Sequence, residues 1–551
     1  MSAVHIMSAT EPRLGARRGA VLDDAHIGDI RGAFGTIPHG DIAPRRGWWA
    51  RLRTLLAILG PGLIVMVGDN DAGAFGTYTQ AGQDYGTTLL WTLLLLIPVL
   101  YVNQEMVLRL GAVTGVGHAR LILERFGKFW GTFSVIDLFL LNALTIITEF
   151  IGISLALNYL GLPRELGVIA SAAVIIAAAA TGDFRRFERF SMLLVFGSLL
   201  LIPIFLWAHP PFGQIAYDFV VPKLPEEGKL SEIMLLIIAI VGTTVAPWQL
   251  FFQQSYVIDK RITPRFIRYA RADLWIGIVL VIVGAVAMMA FTAAAFAGRP
   301  EFGNFQDAGA VAAGLGKYAG HIVGVFFAIA LIDASVIGAM AVSLSTAYAI
   351  GDVLSLRHSL HRKPKEAKAF YAVYGGLVAL AAALVLTPGT PLGLLTNAVQ
   401  TLAGVLLPSA TVFLLLLCND QGVLGPWVNG RGLNVFTGTV IAVLVMLSII
   451  LTASVLFPGM SEATILSILG GGVLFTIVIA AALLVIRRED RGVWTDSFGR
   501  MIWRMPSFDQ LPPPAHMTPL TRIWLAILRG YLVVAGGLVL WRIVDLAVGA
   551  G

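Results

Sequence analysis

Two apolar stretches of this chain are each interrupted halfway by residues that a helix inside a lipid bilayer avoids. That pairing limits the folds open to the chain more than anything else in the sequence. The first stretch, residues 58–90, carries Gly68-Asp69-Asn70-Asp71-Ala72-Gly73 in its middle. A carboxylate at that depth costs at least ~2.5–3.5 kcal/mol on insertion scales, so an acid placed there marks a functional site by default. The second stretch, residues 238–255, carries Gly242-Thr243-Thr244-Val245-Ala246-Pro247-Trp248-Gln249, with a proline that frees backbone carbonyls. Unwound backbone at membrane depth is tolerated only where it lines a cavity or is buried in protein. Matching breaks in two halves of a membrane protein point to a binding site near the midplane.

Of 551 residues, 57% are hydrophobic and 13% are charged, which excludes an ordinary soluble protein and predicts an all-α polytopic membrane protein. Apolar runs of about 20 residues, long enough to span, centre on 55–79, 87–108, 131–160, 166–181, 191–208, 232–257 and 273–297. They continue at 320–350, 369–387, 394–418, 435–457 and 463–486, which makes twelve spans. A thirteenth candidate, 523–548, holds Arg529, Arg542 and Asp545 and either spans or lies along the interface. The single cysteine, Cys418, excludes an internal disulfide. A net charge of +6 would suggest nucleic acid in a soluble protein. Here the basic residues sit mainly in short loops, so they set membrane orientation and no nucleic-acid partner is expected. Residues 1–50 are polar, arginine-containing and glycine-rich, without the apolar core of a signal peptide; they are expected to be a disordered cytoplasmic tail.

The loops carry the orientation. Arg109, Arg120, Arg125 and Lys128 follow span two, and Arg185, Arg186 and Arg189 follow span four. Lys260, Arg261, Arg265, Arg268 and Arg271 follow span six, and Arg357, Arg362, Lys363, Lys365 and Lys368 follow span eight. The alternate loops are poorer: 82–86 and 387–392 have no positive charge, the loop after span three has only Arg164, and Glu226 and Glu227 offset Lys223 and Lys229. The positive-inside rule then places the N-terminus in the cytoplasm. Spans 1–5 and 6–10 form two five-helix halves of opposite orientation, because five is odd, and a broken span opens each half. That is the inverted repeat of LeuT-type transporters, with helices 1 and 6 broken. The chain divides into the tail, a ten-helix core at 51–420, and 421–551 with one to three accessory C-terminal helices.

Within the core the residues resemble the Nramp family of divalent-metal transporters, over roughly 54–420. Gly60-Pro61-Gly62, Gly68 and Asp71-Ala72-Gly73-Ala74 stand where the family has GPG and Asp-Pro-Gly-Asn. Tyr85-Gly86 with Leu89-Leu90-Trp91 is similar to the start of its second helix, and Arg109-Leu110-Gly111-Ala112-Val113-Thr114-Gly115 to its RLGxVTG. Glu149-Phe150-Ile151-Gly152 with Ala156-Leu157-Asn158 resembles EVIG…ALN on helix three, and Gln400 falls on the family's helix-ten glutamine. The departures are as informative. Ala74 replaces the Asn, and Ala246-Pro247-Trp248-Gln249 replaces Met-Pro-His-Asn on helix six. Gln253 stands for a second histidine, and Ile146 for a helix-three aspartate.

A thioether is a soft ligand that favours transition metals over hard alkaline-earth ions. Without it, and without the Asn, the site is wider and offers oxygen. Mg²⁺ keeps several waters around one or two carboxylates. The resemblance therefore implies a cation site built from Asp71, with Asp69, backbone carbonyls at Gly68 or Thr243, Gln249 and Gln400, and with Ala74 and Ala246 at the altered ligand positions. In these replacements the chain resembles the Nramp-related magnesium transporters, a branch in which proton coupling is absent.

Each residue also has a plainer role. Asp71 is suited to cap the half-helix that follows it, which is compatible with ligation. Asp69 could instead face a vestibule or pair with Lys or Arg. Asn70 and Gln249 could satisfy unwound backbone. Gln400 could make an interhelical hydrogen bond. Glu149 is either a remnant of a proton path or a buried group bonded to backbone or Arg. Trp248 reads as a wall or gate, and Asp137 and Asp333 have no assignment.

The expected function is transport of a partly hydrated divalent cation, Mg²⁺ first and Mn²⁺ second, across the cell membrane by alternating access, down the electrochemical gradient and without proton coupling. The alternatives are a proton-coupled Mn²⁺/Fe²⁺ symporter of the standard family type, and an amino-acid or organic-cation transporter of the same fold. No nucleotide loop or hydrolytic constellation suggests an enzyme. The partners implied are the cation and the lipid bilayer, and no cofactor.

Overall fold

The structure, a computed structural model, describes residues 20–226, 228–387, 408–457, 461–486 and 497–512, with scattered positions between 399 and 541. Gln400 and most of 523–548 lie outside the described residues. Among the described residues, eight helices are long and apolar enough to cross a membrane, or nine if one bent pair counts as a single span. Leu95, Ile136, Leu166, Leu193 and Val279, on different helices, all point outward. An apolar exterior of that extent suits lipid, not water.

The first span is three helices in sequence: α1 (Trp48–Ile58), α2 (Pro61–Val67) and α3 (Ala72–Tyr85). α1 and α2 meet at 52°. Gly60, between them, has φ 154°, which favours a residue without Cβ, and Pro61 starts α2 where no N–H is needed. The free N–H groups of Gly60, Gly62 and Leu63 donate to the Asp273 carboxylate at 3.0, 2.7 and 3.3 Å. Gly62 also lets α2 lie directly on the backbone of Leu274. Gly68 ends α2, and Asp71 begins α3 with extended backbone.

Span two is α4 (Trp91–Thr114), followed by the short α5 (His118–Phe126). The Arg109–Gly115 stretch is structural: Gly111 brings α4 onto the backbone of Gln254, and Arg109 donates to the Trp427 carbonyl at 2.7 Å. Spans three, four and five are α6 (Lys128–Tyr159), α7 (Arg164–Ala179), and α8 (Phe184–Gly197) with α9 (Leu201–Ala208); the short α10 (Phe212–Val220) follows. Span six is α11 (Leu230–Thr244) and α12 (Pro247–Asp259). Ala246 between them is extended, as the residue before a proline is driven to be. α13 (Ile267–Phe296), the short α14 (Ala308–Tyr318), α15 (His321–Val353) and α16 (Lys368–Leu386) complete spans seven to nine. The described part of span ten is Pro408–Cys418, and Arg431–Leu456 and Glu462–Ile486 supply spans eleven and twelve. This is the LeuT-type arrangement expected from the hydropathy, with α6 and α15 packed together beside the two breaks.

The expectation of a disordered tail through residue 50 is corrected for its later part. Two short strands, β1 (Ile30–Gly32) and β2 (Gly35–Ile37), pair antiparallel with Ile30 opposite Ile37. Gly32 lies on the Ala57 carbonyl, and Ala33 N–H donates to Glu188 at 2.6 Å. Glu188 in turn pairs with Lys260 at 2.7 Å, both side chains fully buried. Arg261 donates to the carbonyls of Ala25 and Asp29, and Arg362 to the Asp23 carboxylate at 2.7 Å. The segment is ordered by Ala57 of α1 and by charged partners more than 100 residues away, so its own composition gave no sign of order. Removing the charged donor of a buried pair costs about 1.5–3 kcal/mol. Arg362→Ala is therefore expected to loosen residues 23–37 alone, read as faster tryptic cleavage at Arg31 with an unchanged melting temperature of the core. Cleavage at the wild-type rate would show that Arg362 does not hold the segment.

Candidate functional site

The site forms where the two breaks meet. Asp71 caps α3: its Oδ1 accepts from Ala74 N–H at 2.9 Å, and only 5% of the residue is exposed. Glu149 reaches from α6 to the same helix end, and its Oε2 accepts from Ala72 N–H at 3.1 Å. Two carboxylates thus sit at the positive end of one half-helix. Gly338 of α15 makes room for both; an added Cβ there would lie 2.9 Å from Glu149 Oε1 and 3.0 Å from Asp71 Cβ. Glu149 is bonded to backbone, with no arginine partner among the described residues.

Asp69 is buried, and its Oδ1 accepts from Gln249 Nε2. No lysine or arginine pairs with it among the described residues. The Gln249 amide also donates to the Thr244 carbonyl at 3.3 Å, a carbonyl at the C-terminal end of α11, where the break interrupts the helix. Asn70 turns away from both acids: its Nδ2 donates to the Val281 carbonyl of α13 at 3.1 Å, where Gly284 gives it space. It bonds an intact helix, not unwound backbone. Tyr78 and Thr244 join the two broken spans through a 2.6 Å hydroxyl pair. Ala74 is wholly buried and Ala246 is 8% exposed. Trp248 packs below Gly68, its carbonyl accepting from Ser345 Oγ at 2.9 Å. A cavity of about 30 Å³ adjoins Ala72, Gly73 and Thr77 of α3 and Thr148 and Gly152 of α6.

What remains is a set of buried oxygens that lack donors. Asp69 Oδ2, Asn70 Oδ1, Glu149 Oε1, Thr243 Oγ1 and Gln104 Oε1 have no hydrogen-bond partner among the described residues. No three His, Cys, Asp or Glu side chains converge as a preformed cage among the described residues.

The structure does not bring every embedded acid here. Asp137 lies three turns before Glu149 on α6, beside Ser409 Oγ at 3.4 Å, and Asp333 lies against Gly197 of α8. Gln253, the turn after Gln249, is buried with both amide atoms unpartnered among the described residues. Reading the sequence missed Gln104, whose Nε2 donates to Gln249 Oε1 at 2.9 Å. The signal was present: Asn103-Gln104-Glu105 is a polar run inside an otherwise apolar span.

Two broken helices crossing at buried acids, inside an inverted-repeat core, define a membrane transporter fold. The comparisons narrow it. Residues 62–454 match the family model described as Nramp, natural resistance-associated macrophage protein-like, and the chain belongs to the Nramp family. It is 27% identical over 419 residues to the divalent metal cation transporter MntH of Burkholderia ambifaria, covering 72% of this chain and 88% of that one. Against the protein of the same name from Xanthomonas campestris pv. campestris it is 30% identical over 347 residues, covering 58% and 73%. In fold it is similar to the Eremococcus coleocola manganese transporter in complex with an aromatic bis-isothiourea substituted compound. The TM-score is 0.60 at 20% identity, covering 81% of this chain and 95% of that one.

Proposed function

We propose that the protein is a multi-pass transporter of divalent metal cations in the cell membrane, with its N-terminus in the cytoplasm. It carries partly hydrated Mg²⁺ first and Mn²⁺ second, by alternating access, without proton coupling. The observation that carries this reading is the donor set. The two breaks offer carboxylate, hydroxyl and carbonyl oxygen, with Asp69 Oδ2 and Thr243 Oγ1 buried and unpartnered among the described residues. Residues 68–71 and 243–249 hold no thioether and no imidazole. Oxygen alone is the chemistry of hard cations. The relatives named as divalent metal cation transporters support a divalent cation as the substrate. Transport would follow the ion's own gradient, and an inside-negative potential favours uptake by about 2.3 kcal/mol per charge per 100 mV.

Coupling needs a group that changes protonation with the ion site, and histidine is the usual one because its pKa near ~6.5 lies in the working range. Trp248 and Gln253 stand at the family's histidine positions and do not titrate. The second reading is a proton-coupled Mn²⁺/Fe²⁺ symporter, and Glu149 is what favours it: a fully buried carboxyl beside Asp71 on the same helix end. Proteoliposomes loaded with a pH dye and given Mg²⁺, Mn²⁺ or Ca²⁺ separate the two. Uptake of Mg²⁺ at constant internal pH is expected. Acidification that tracks Mn²⁺ uptake and vanishes in Glu149→Gln would establish the symporter instead.

A further inference from the structure

Gln249 stands at the meeting of three elements, and its carboxamide has only one orientation that fits them. Its Nε2 faces the Asp69 carboxylate and the Thr244 carbonyl, both of which only accept when the acid is ionised. Its Oε1 must then face a donor. That donor is Gln104 Nε2 on α4, at 2.9 Å. Gln104 and Gln249 are both fully buried, so no bulk water competes for either amide. Were the amide reversed, its oxygen would oppose the carboxylate and the carbonyl at once. Nothing but Gln104 bonds Gln249 Oε1 among the described residues.

We propose that Gln104 is a positioning residue for the cation site, acting through Gln249: it fixes the amide so that one oxygen of Asp69 is held and the other is left for the cation. The relay runs from α4 through α12 to the break at residues 68–71, and Asp69 Oδ2 at its end is buried and unpartnered among the described residues. It ties the two broken spans together as well, since the same amide group bonds Asp69 in one and Thr244 in the other. Gln104 touches no cation in this scheme. Its effect reaches the site as an outer partner of a ligand does, by orienting it. The inference rests on the proposed transport of a divalent cation.

The test uses the full chain with Mn²⁺ as the probe, read both as equilibrium binding to purified protein and as uptake into proteoliposomes. Gln104→Leu removes the donor, and Gln104→Met does so with a side chain of nearly the same length and shape, in case the leucine disturbs folding. Each is expected to weaken Mn²⁺ binding and raise the KM for uptake about 10–100-fold, the range for lost outer partners of metal ligands. The maximal rate should change less. In a Gln249→Leu background the same substitutions should add almost nothing, because the relay is already cut. A merely structural role would give the same loss in both backgrounds, or a loss in rate without a change in KM, and either result overturns the inference. Unchanged Mn²⁺ binding in both Gln104 variants would overturn it too. If wild type binds and transports neither Mn²⁺ nor Mg²⁺, it is the transport reading that fails, and this inference falls with it.

Discussion

Asp71→Ala is expected to abolish cation uptake while leaving the protein folded. The two halves of that expectation have separate physical grounds. Asp71 caps α3 through Ala74 N–H, and losing a cap costs about 0.5–2 kcal/mol. Glu149 continues to bond Ala72 N–H at the same helix end, so α3 keeps one acidic cap. Removing a buried carboxylate also removes its desolvation cost, which offsets part of the loss. The proposed cation site, by contrast, loses the acid that the resemblance to the Nramp family implies as its ligand. Asp71→Asn separates the two roles: asparagine caps as well as aspartate but brings no charge. It is expected to melt like wild type and to transport no better than the alanine variant. Uptake of Mg²⁺ at the wild-type rate by either variant would remove Asp71 from the site.

Ala246→Met, alone or with Ala74→Asn, should turn the selectivity toward soft ions. Ala246 lies in the extended link between α11 and α12 with 8% exposure, and methionine, flexible and unbranched, is the side chain best able to adapt to the packing at that break. A thioether there favours Cd²⁺ and Mn²⁺ over Mg²⁺. A change of about 1.4 kcal/mol in relative binding is tenfold, and at least that shift in the Cd²⁺ to Mg²⁺ uptake ratio is expected. Ala74 is wholly buried in the first turn of α3, so an added amide must displace neighbours at about 1–3 kcal/mol. The single variant is thus the cleaner test, and the double one should show the larger shift in a less stable protein. Strong Cd²⁺ and weak Mg²⁺ transport by the wild type would end the hard-cation reading.

The breaks were legible in the sequence because their causes are local. Pro247 has no N–H to continue α11, and it forces Ala246 to be extended whatever surrounds it. Gly60 takes a φ that other residues resist, and Asp71 is among the best helix N-caps. Span lengths follow from bilayer thickness, and the five-plus-five arrangement from counting them. None of this needs a contact between distant residues.

What each polar group near the breaks bonds to was decided by tertiary structure. Asn70 and Asp69 are neighbours with similar side chains, yet one anchors to the Val281 carbonyl of α13 and the other to Gln249 of α12. Glu149 finds Ala72 N–H, 77 positions away, and Gln104 finds Gln249 across 145. The folded segment at residues 23–37 depends on Glu188, Arg261 and Arg362. A backbone restriction belongs to one residue and its neighbour, so the chain states it outright. A hydrogen bond between side chains exists only once two helix faces have met, and which faces meet is settled by the packing of the whole bundle.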